Sequence, residues 1–192
     1  MAKSSGLSTP GCNEDKREAG GDEELRPRLT TAFRRSAAMA NYMAQDRPDI
    51  SFASKEVSRG MACPTRLDTV KLKRLIRYLS NARRRAFKYM WQDPTEQRTV
   101  VSDSGWAGCV KTRRRTSGGV LLHGKHLAHH WSSTQATVAL SSAEAELNAI
   151  VKGMAEVVGA KSMAEECSRS CRGRIFTDSS AANGIVHREG CG

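Results

Sequence analysis

No apolar run in this sequence is long enough to cross a membrane. The opening stretch, MAKSSGLSTPG, lacks the apolar core of a secretory signal. Together these absences lead to the expectation of an intracellular protein, cytoplasmic or nuclear and not secreted, with no membrane partner. Zinc spacing is missing too. The cysteines at 12, 63, 109, 167, 171 and 191 are scattered, and Cys167-x-x-x-Cys171 has no second pair or histidines at a suitable distance. Reduced thiols are the expectation. His126, His129 and His130 cluster in HLAHHW, but a strand would send His129 and His130 to opposite faces. Acidic residues are outnumbered, 20 against 31 Lys and Arg, for a formal charge of +11. That balance suits a polyanionic partner, and a solvated basic surface is the plain alternative.

What the sequence does contain is organised around VALSSAEAELNAIVKGMAEV, residues 138–157. Ala143, Leu147, Ile150, Val151, Met154, Val157 and Val158 follow the spacing of a helix with one buried face. Ser141 and Glu144 are spaced as a capping box. Glu146 has no such role. It sits at the edge of the apolar face, where a carboxylate is costly unless it is paired, solvated or bound to a cation.

Two aspartates flank this helix in sequence. RTVVSDSGWAG places Asp103 at the end of a short β-like run, and RIFTDSSAANGI does the same for Asp178. Each alone reads equally as a turn residue or a helix cap, and Asp178 is placed to cap 179–187. If the two strands are parallel neighbours, both side chains emerge at one sheet edge and the helix brings Glu146 over it. Three carboxylates without a Lys or His partner motif are what a hard divalent cation requires.

The rest of the chain divides into three. Residues 1–27 are polar, Gly-rich and acidic, and read as a disordered tail. Residues 28–92 read as a helical, basic segment. Leu29, Phe33, Met39, Tyr42 and Met43 pattern one helix, and Arg47-Pro48 breaks it. Ile50, Phe52, Ala53 and Val57 pattern a second. Pro64-Thr65 starts a third, with Val70, Leu72, Leu75, Ile76 and Leu79 on one broad face. Lys71, Lys73, Arg74 and Arg77 line the remainder, followed by Arg83, Arg84 and Arg85. They suit a phosphate backbone or, equally, a solvated surface. Residues 98–192 alternate strands and helices: strands near 98–104, 116–123, 126–132 and 172–177, helices at 142–166 and 179–187. Gly118-Gly119 suggests a bend or close approach, and Gly124-Lys125 a tight turn. The helix before the fourth strand permits a crossover that sets it parallel to the first.

VVSDSGWAG, RRRTSGG, WSSTQATVALSSAEAE and FTDSSAA resemble the ribonuclease H domain of Ty1/copia-type retrotransposon Pol polyproteins. ANYMAQDRPDISFA and CPTRLDTVKLKRLIRYL are similar to the segment joining reverse transcriptase to that domain, so the resemblance covers most of residues 36–192. It implies an α/β ribonuclease H-like fold, with a mixed five-stranded sheet of order 3-2-1-4-5 after an N-terminal helical segment. It implies Asp103, Glu146 and Asp178 as catalytic residues and metal ligands for two Mg²⁺ or Mn²⁺ ions, with Asp103 shared. The implied reaction is hydrolysis of RNA in an RNA–DNA hybrid, with Ser104 and Ser179 beside the carboxylates contacting nucleic acid. The remainder of a polyprotein is the implied protein partner. Two departures stand out. Relatives commonly carry Asp where this chain has Gly105. The family's fourth carboxylate lies on a segment after Gly192, so the domain reads as incomplete at its C-terminus and its nuclease activity as weak or absent. A non-catalytic nucleic-acid-binding remnant is the alternative.

Overall fold

The computed structural model describes residues 7–11, 23–105 and 112–188. The tail expected over 1–27 lies mostly outside these residues, as do Cys12, Cys109, Cys191 and positions 106–108 of the first motif. The chain forms two compact units, Met1–Phe87 and Lys88–Gly192. Among the described residues no helix is long and apolar enough to cross a membrane.

The first unit is three helices, α1 (Pro27–Met43), α2 (Pro48–Arg59) and α3 (Arg66–Asn81). Proline in the first turn starts α1 and α2, where its missing N–H is not needed. Thr65 and Asp68 form a reciprocal capping box on α3. Residues just before α1 are not tail-like. Leu25 N donates to Pro64 O at 2.9 Å and Arg66 N to Glu23 O at 3.0 Å. The core is Phe33, Ala37, Ala40, Ile50, Ala53, Val57, Leu72, Leu75 and Tyr78. It is narrower than the apolar pattern predicts. Leu29, Met39, Tyr42, Val70 and Ile76 are exposed. At about 100° per residue, Ile76 lies more than a quarter-turn from Leu75, outside the stripe that meets a neighbour. Helix also ends earlier than the 28–92 expectation: 82–96 have no regular structure. Arg83 Nε donates to Ser80 O at 3.2 Å, satisfying a carbonyl at the end of α3.

The second unit is a four-stranded mixed sheet of order β3-β2-β1-β4, with β1 (Gln97–Gly105), β2 (Thr116–His123), β3 (His126–Thr134) and β4 (Arg172–Phe176). The expected fifth strand is not among the described residues. β1–β2 and β2–β3 are antiparallel, and β4 runs parallel to β1 with Val101 opposite Phe176. Gly124 turns the β2–β3 hairpin at φ 57°, a conformation glycine adopts without strain. The ring of Trp131 lies where a Cβ on Gly119 would stand, which is the close approach the Gly118-Gly119 pair suggests.

Helix α4 (Ser142–Glu166) packs on this sheet, and α5 (Ser180–Val186) follows β4. The buried face of α4 is only partly the one the large apolar residues mark: Ile150 and Val157 lie on it, with small residues making up the rest. Ala145, Ala149, Ile150, Gly153, Val157, Ala160 and Ala164 face inward, while Val151 is 60% and Val158 58% exposed. The reason is distance. A Cβ on Gly153 would stand 2.9 Å from Val100 Cγ1, so at that turn the helix lies too close to β1 for a side chain. Ser141 caps α4 by accepting from Glu144 N at 3.1 Å. The carboxylate of Glu144 reaches back to Leu140 N at 2.7 Å, one residue before the cap.

Candidate metal centre

Asp103 is near the end of β1, Glu146 in the second turn of α4, and Asp178 just after β4. The parallel pairing of β1 and β4 brings both aspartates to one sheet edge. The start of α4 lies over it. One carboxylate oxygen from each of the three residues lies within 4.8 Å of the others. Asp103 and Asp178 are exposed and Glu146 is half-buried. Three hard oxygen donors in one cluster, open to solvent on one side, fit a divalent ion such as Mg²⁺ or Mn²⁺ that keeps water or phosphate in its remaining positions.

The surroundings treat the three carboxylates differently. Asp178 does not cap α5; Ser179 does, accepting from Ala182 N at 3.1 Å. That frees the Asp178 side chain and occupies the hydroxyl expected to contact nucleic acid. Ser104 is also engaged. Its Oγ donates to Glu146 Oε1 at 2.7 Å and its N–H to Glu146 Oε2 at 3.2 Å, so both oxygens of the helix carboxylate are held from the strand. Among the described residues a Cβ at Gly105 would meet only Thr116, at 3.8 Å and beyond, so a side chain fits against them.

Behind the cluster lies a polar interior. Ser102, Ser104, Thr116, Ser117 and Gln135 are all buried. Gln135, 6% exposed, donates through Nε2 to Ser117 Oγ at 3.0 Å and to Ala145 O at 2.8 Å. Ser117 is the cross-strand partner of Ser104. Gln135 therefore ties the α4 residue beside Glu146 to the strand next to the one that grips Glu146. No pattern in the sequence marks this residue: a lone amide between a strand and a helix start reads as loop.

The basic residues belong to the helical unit. Lys73 and Arg77 on α3 are exposed, as is Arg84; Lys71 and Arg74 are half-buried. Arg74 Nη2 donates to Thr9 Oγ1 at 3.1 Å. Arg83 is turned onto the α3 carboxyl end, and Arg85 approaches Asp49 at 3.8 Å and Tyr78 Oη at 3.4 Å. Of the seven basic candidates, Lys73, Arg77 and Arg84 present themselves most openly to solvent.

Fold and site thus define a mixed α/β protein with three helices ahead of a four-stranded sheet and a carboxylate cluster at the sheet edge. Comparison with known proteins places it more closely. The chain is 34% identical over 125 residues to the uncharacterized mitochondrial protein AtMg00810 of Arabidopsis thaliana, covering 65% of this chain and 52% of that one. It is 31% identical over 127 residues to the retrovirus-related Pol polyprotein from transposon RE1 of the same plant, covering 66% of this chain and 9% of the polyprotein. It is 32% identical over 121 residues to secreted RxLR effector protein 161 of Plasmopara viticola, covering 63% of this chain and 84% of that one. Over about two thirds of its length the chain is related to retrotransposon Pol polyproteins. It spans about half of the mitochondrial protein and a small part of the polyprotein. No protein-family model matches it, and no solved structure does.

Proposed function

We propose that the sheet unit is a ribonuclease H-like domain that hydrolyses the RNA strand of RNA–DNA hybrids at a two-metal site held by Asp103, Glu146 and Asp178. The observation that carries this reading is the convergence of those three carboxylates from β1, α4 and the end of β4. The strand order β3-β2-β1-β4 with β4 parallel to β1 supports it, as does the relation to Pol polyproteins. Bound divalent ions would supply positive charge at the scissile phosphate and a water acidified enough to act as nucleophile. The protein's part is positional. Ser104 fixes both oxygens of Glu146, and the exposed Asp103 and Asp178 leave the approach open to a phosphodiester backbone. Lys73, Arg77 and Arg84 would add sequence-independent phosphate contacts, and hybrid geometry would be read through the minor groove and 2′-hydroxyls.

The test is Mn²⁺ titration by calorimetry together with cleavage of a labelled hybrid, for the wild type and for Asp103→Asn and Glu146→Gln. Metal binding lost in Asp103→Asn and hybrid cleavage lost in Glu146→Gln are expected. Equal metal binding by wild type and Asp103→Asn overturns the site. Salt-sensitive hybrid binding without cleavage in either metal leaves the non-catalytic nucleic-acid-binding reading in its place.

A further inference from the structure

Residues 88–94 have no regular secondary structure, yet they are fastened to the β2–β3 hairpin. Tyr89 Oη donates to Leu127 O at 3.1 Å. Gln92 Nε2 donates to His123 O at 3.0 Å, and Gln92 Oε1 accepts from Lys125 N at 2.8 Å. His126 Nε2 lies 2.7 Å from Met90 O and its Nδ1 3.3 Å from Gln92 Nε2, both satisfied by the Nε2–H tautomer. His126 also meets the Tyr89 ring edge-on, with centroids 5.2 Å apart.

A segment pinned this firmly would ordinarily bury its large side chains. This one turns them out. Trp91 is 88% exposed, and Tyr89 and Met90 are exposed as well. Beside them is a groove of about 410 Å³ lined by Tyr89, Trp91, Pro94, His123 and His126 among others. That volume lies in the range of about 300–1,000 Å³ typical of small-ligand clefts. Lys88, next to Tyr89, and Lys125, whose N–H holds Gln92, are both exposed.

We infer that this strap is a stacking site for the bases of single-stranded nucleic acid. Flat rings held on a fixed backbone lose little freedom when a base stacks on them. The exposed Lys88, next to Tyr89 in the chain, and Lys125, at the hairpin turn that holds Gln92, bring positive charge suited to a phosphate backbone, and Asp93 is the one carboxylate in the lining. The ligand is single-stranded because a duplex keeps its base faces stacked on one another. A protein partner would also use exposed Trp and Tyr, but the exposed lysines favour a polyanion bearing aromatic bases. The site is separate from the carboxylate cluster and does not depend on hydrolysis.

The exposed indole is its own probe. Oligothymidylate added to the full chain should quench tryptophan fluorescence, and Trp91→Phe should remove most of that change while keeping most of the affinity. Trp91→Ala should weaken binding by about tenfold, with unchanged circular dichroism and Mn²⁺ titration. Replacing Lys88 and Lys125 with Gln should flatten the salt dependence by roughly 0.7 in logarithmic slope per lost phosphate contact. Unchanged oligothymidylate affinity in Trp91→Ala overturns the proposal. So does equal quenching by heparin, which carries charge but no bases. A Trp91 effect on concentration-dependent self-association, with none on oligonucleotide binding, assigns the surface to a second copy instead. Metal binding and hybrid cleavage intact in Trp91→Ala keep a failure here distinct from a failure of the proposed nuclease site.

Discussion

In the helical unit Ile50, Val57 and Leu75 are sealed from solvent within a cluster that includes Phe33, Leu72 and Tyr78. In the sheet unit Val100 is the one large apolar side chain as fully enclosed among the described residues, and its cluster adds only Leu121, Val157 and Ala160. Around it lie Ile150, the partly buried Trp131 and Ile175, Ala and Gly against the strands, and the Ser, Thr and Gln layer beneath the carboxylates. The comparison teaches what a site demands. Burial of large apolar groups stabilises a fold by roughly 1.5–3 kcal/mol per side chain. A polar layer contributes less, but its hydrogen bonds set positions. The helical unit is built for the first and the sheet unit for the second.

Removing one apolar anchor from the helical unit has the largest expected effect. Leu75→Ala should destabilise the helical unit by about 2–5 kcal/mol, the range for large-to-small changes at sealed core sites. Hydrogen exchange across α1, α2 and α3 reads it directly, as faster exchange of the most protected amides. A loss under about 1 kcal/mol would mean that the helices collapse onto the gap, and that the unit is less tightly specified than its enclosed residues suggest.

A second change tests the other half. Gln135→Ala removes two donated hydrogen bonds, leaving Ser117 Oγ without that donor in a buried place and the start of α4 without its tie to β2. The expected stability loss is roughly 1–3 kcal/mol. The distinguishing readout is metal affinity. If Gln135 positions the start of α4, Mn²⁺ should bind more weakly in Gln135→Ala, and Gln135→Asn should recover little because its amide is one methylene short. Stability loss with unchanged Mn²⁺ affinity would reduce Gln135 to an ordinary buried polar residue.

These two residues also show what was legible beforehand. Leu75 and the order of elements were readable, because helical periodicity, Pro at helix starts and Gly at the hairpin turn are local signals. The three carboxylates were readable as a set because strand ends and helix starts fix where side chains emerge. Gln135 was not, since nothing local distinguishes an amide that will be buried from one in a loop. The inward face of α4 was legible only in part, through Ile150 and Val157. Large apolar residues are the usual sign of burial, but here the closeness of helix and strand selects Ala and Gly and sends Val151, Met154 and Val158 outward. The grip of Ser104 on Glu146 likewise depends on a contact 42 residues apart in sequence.

The smallest effect separates the two units by pH. In the helical unit Asp49 accepts from Arg47 at 2.8 and 2.7 Å and from Tyr78 Oη at 2.8 Å. The Arg47 hydrogen bonds chiefly hold its carboxyl below the ordinary aspartate value, against the opposing effect of burial and with help from Tyr78. A carboxyl with a lowered folded-state pKa stabilises the fold fully above its unfolded value, and the contribution fades as pH falls through the folded one. In the sheet unit His123 is shifted down, first by burial and then by the nearby Arg98. Below the ordinary histidine value the unfolded chain takes up a proton that the folded chain resists, so stability drops as pH falls toward the lowered value and is fully restored above the ordinary one. The sheet unit should therefore weaken in mildly acidic solution, while the Asp49 contribution in the helical unit holds until the carboxylate range. Each effect is about 1 kcal/mol or less, given the partial exposure of these groups. Hydrogen exchange as a function of pH, corrected for intrinsic rates, resolves the two windows. His123→Gln should erase the upper one and Asp49→Asn the lower. Loss of both windows in either single variant would show that these titrations do not divide between the units in this way.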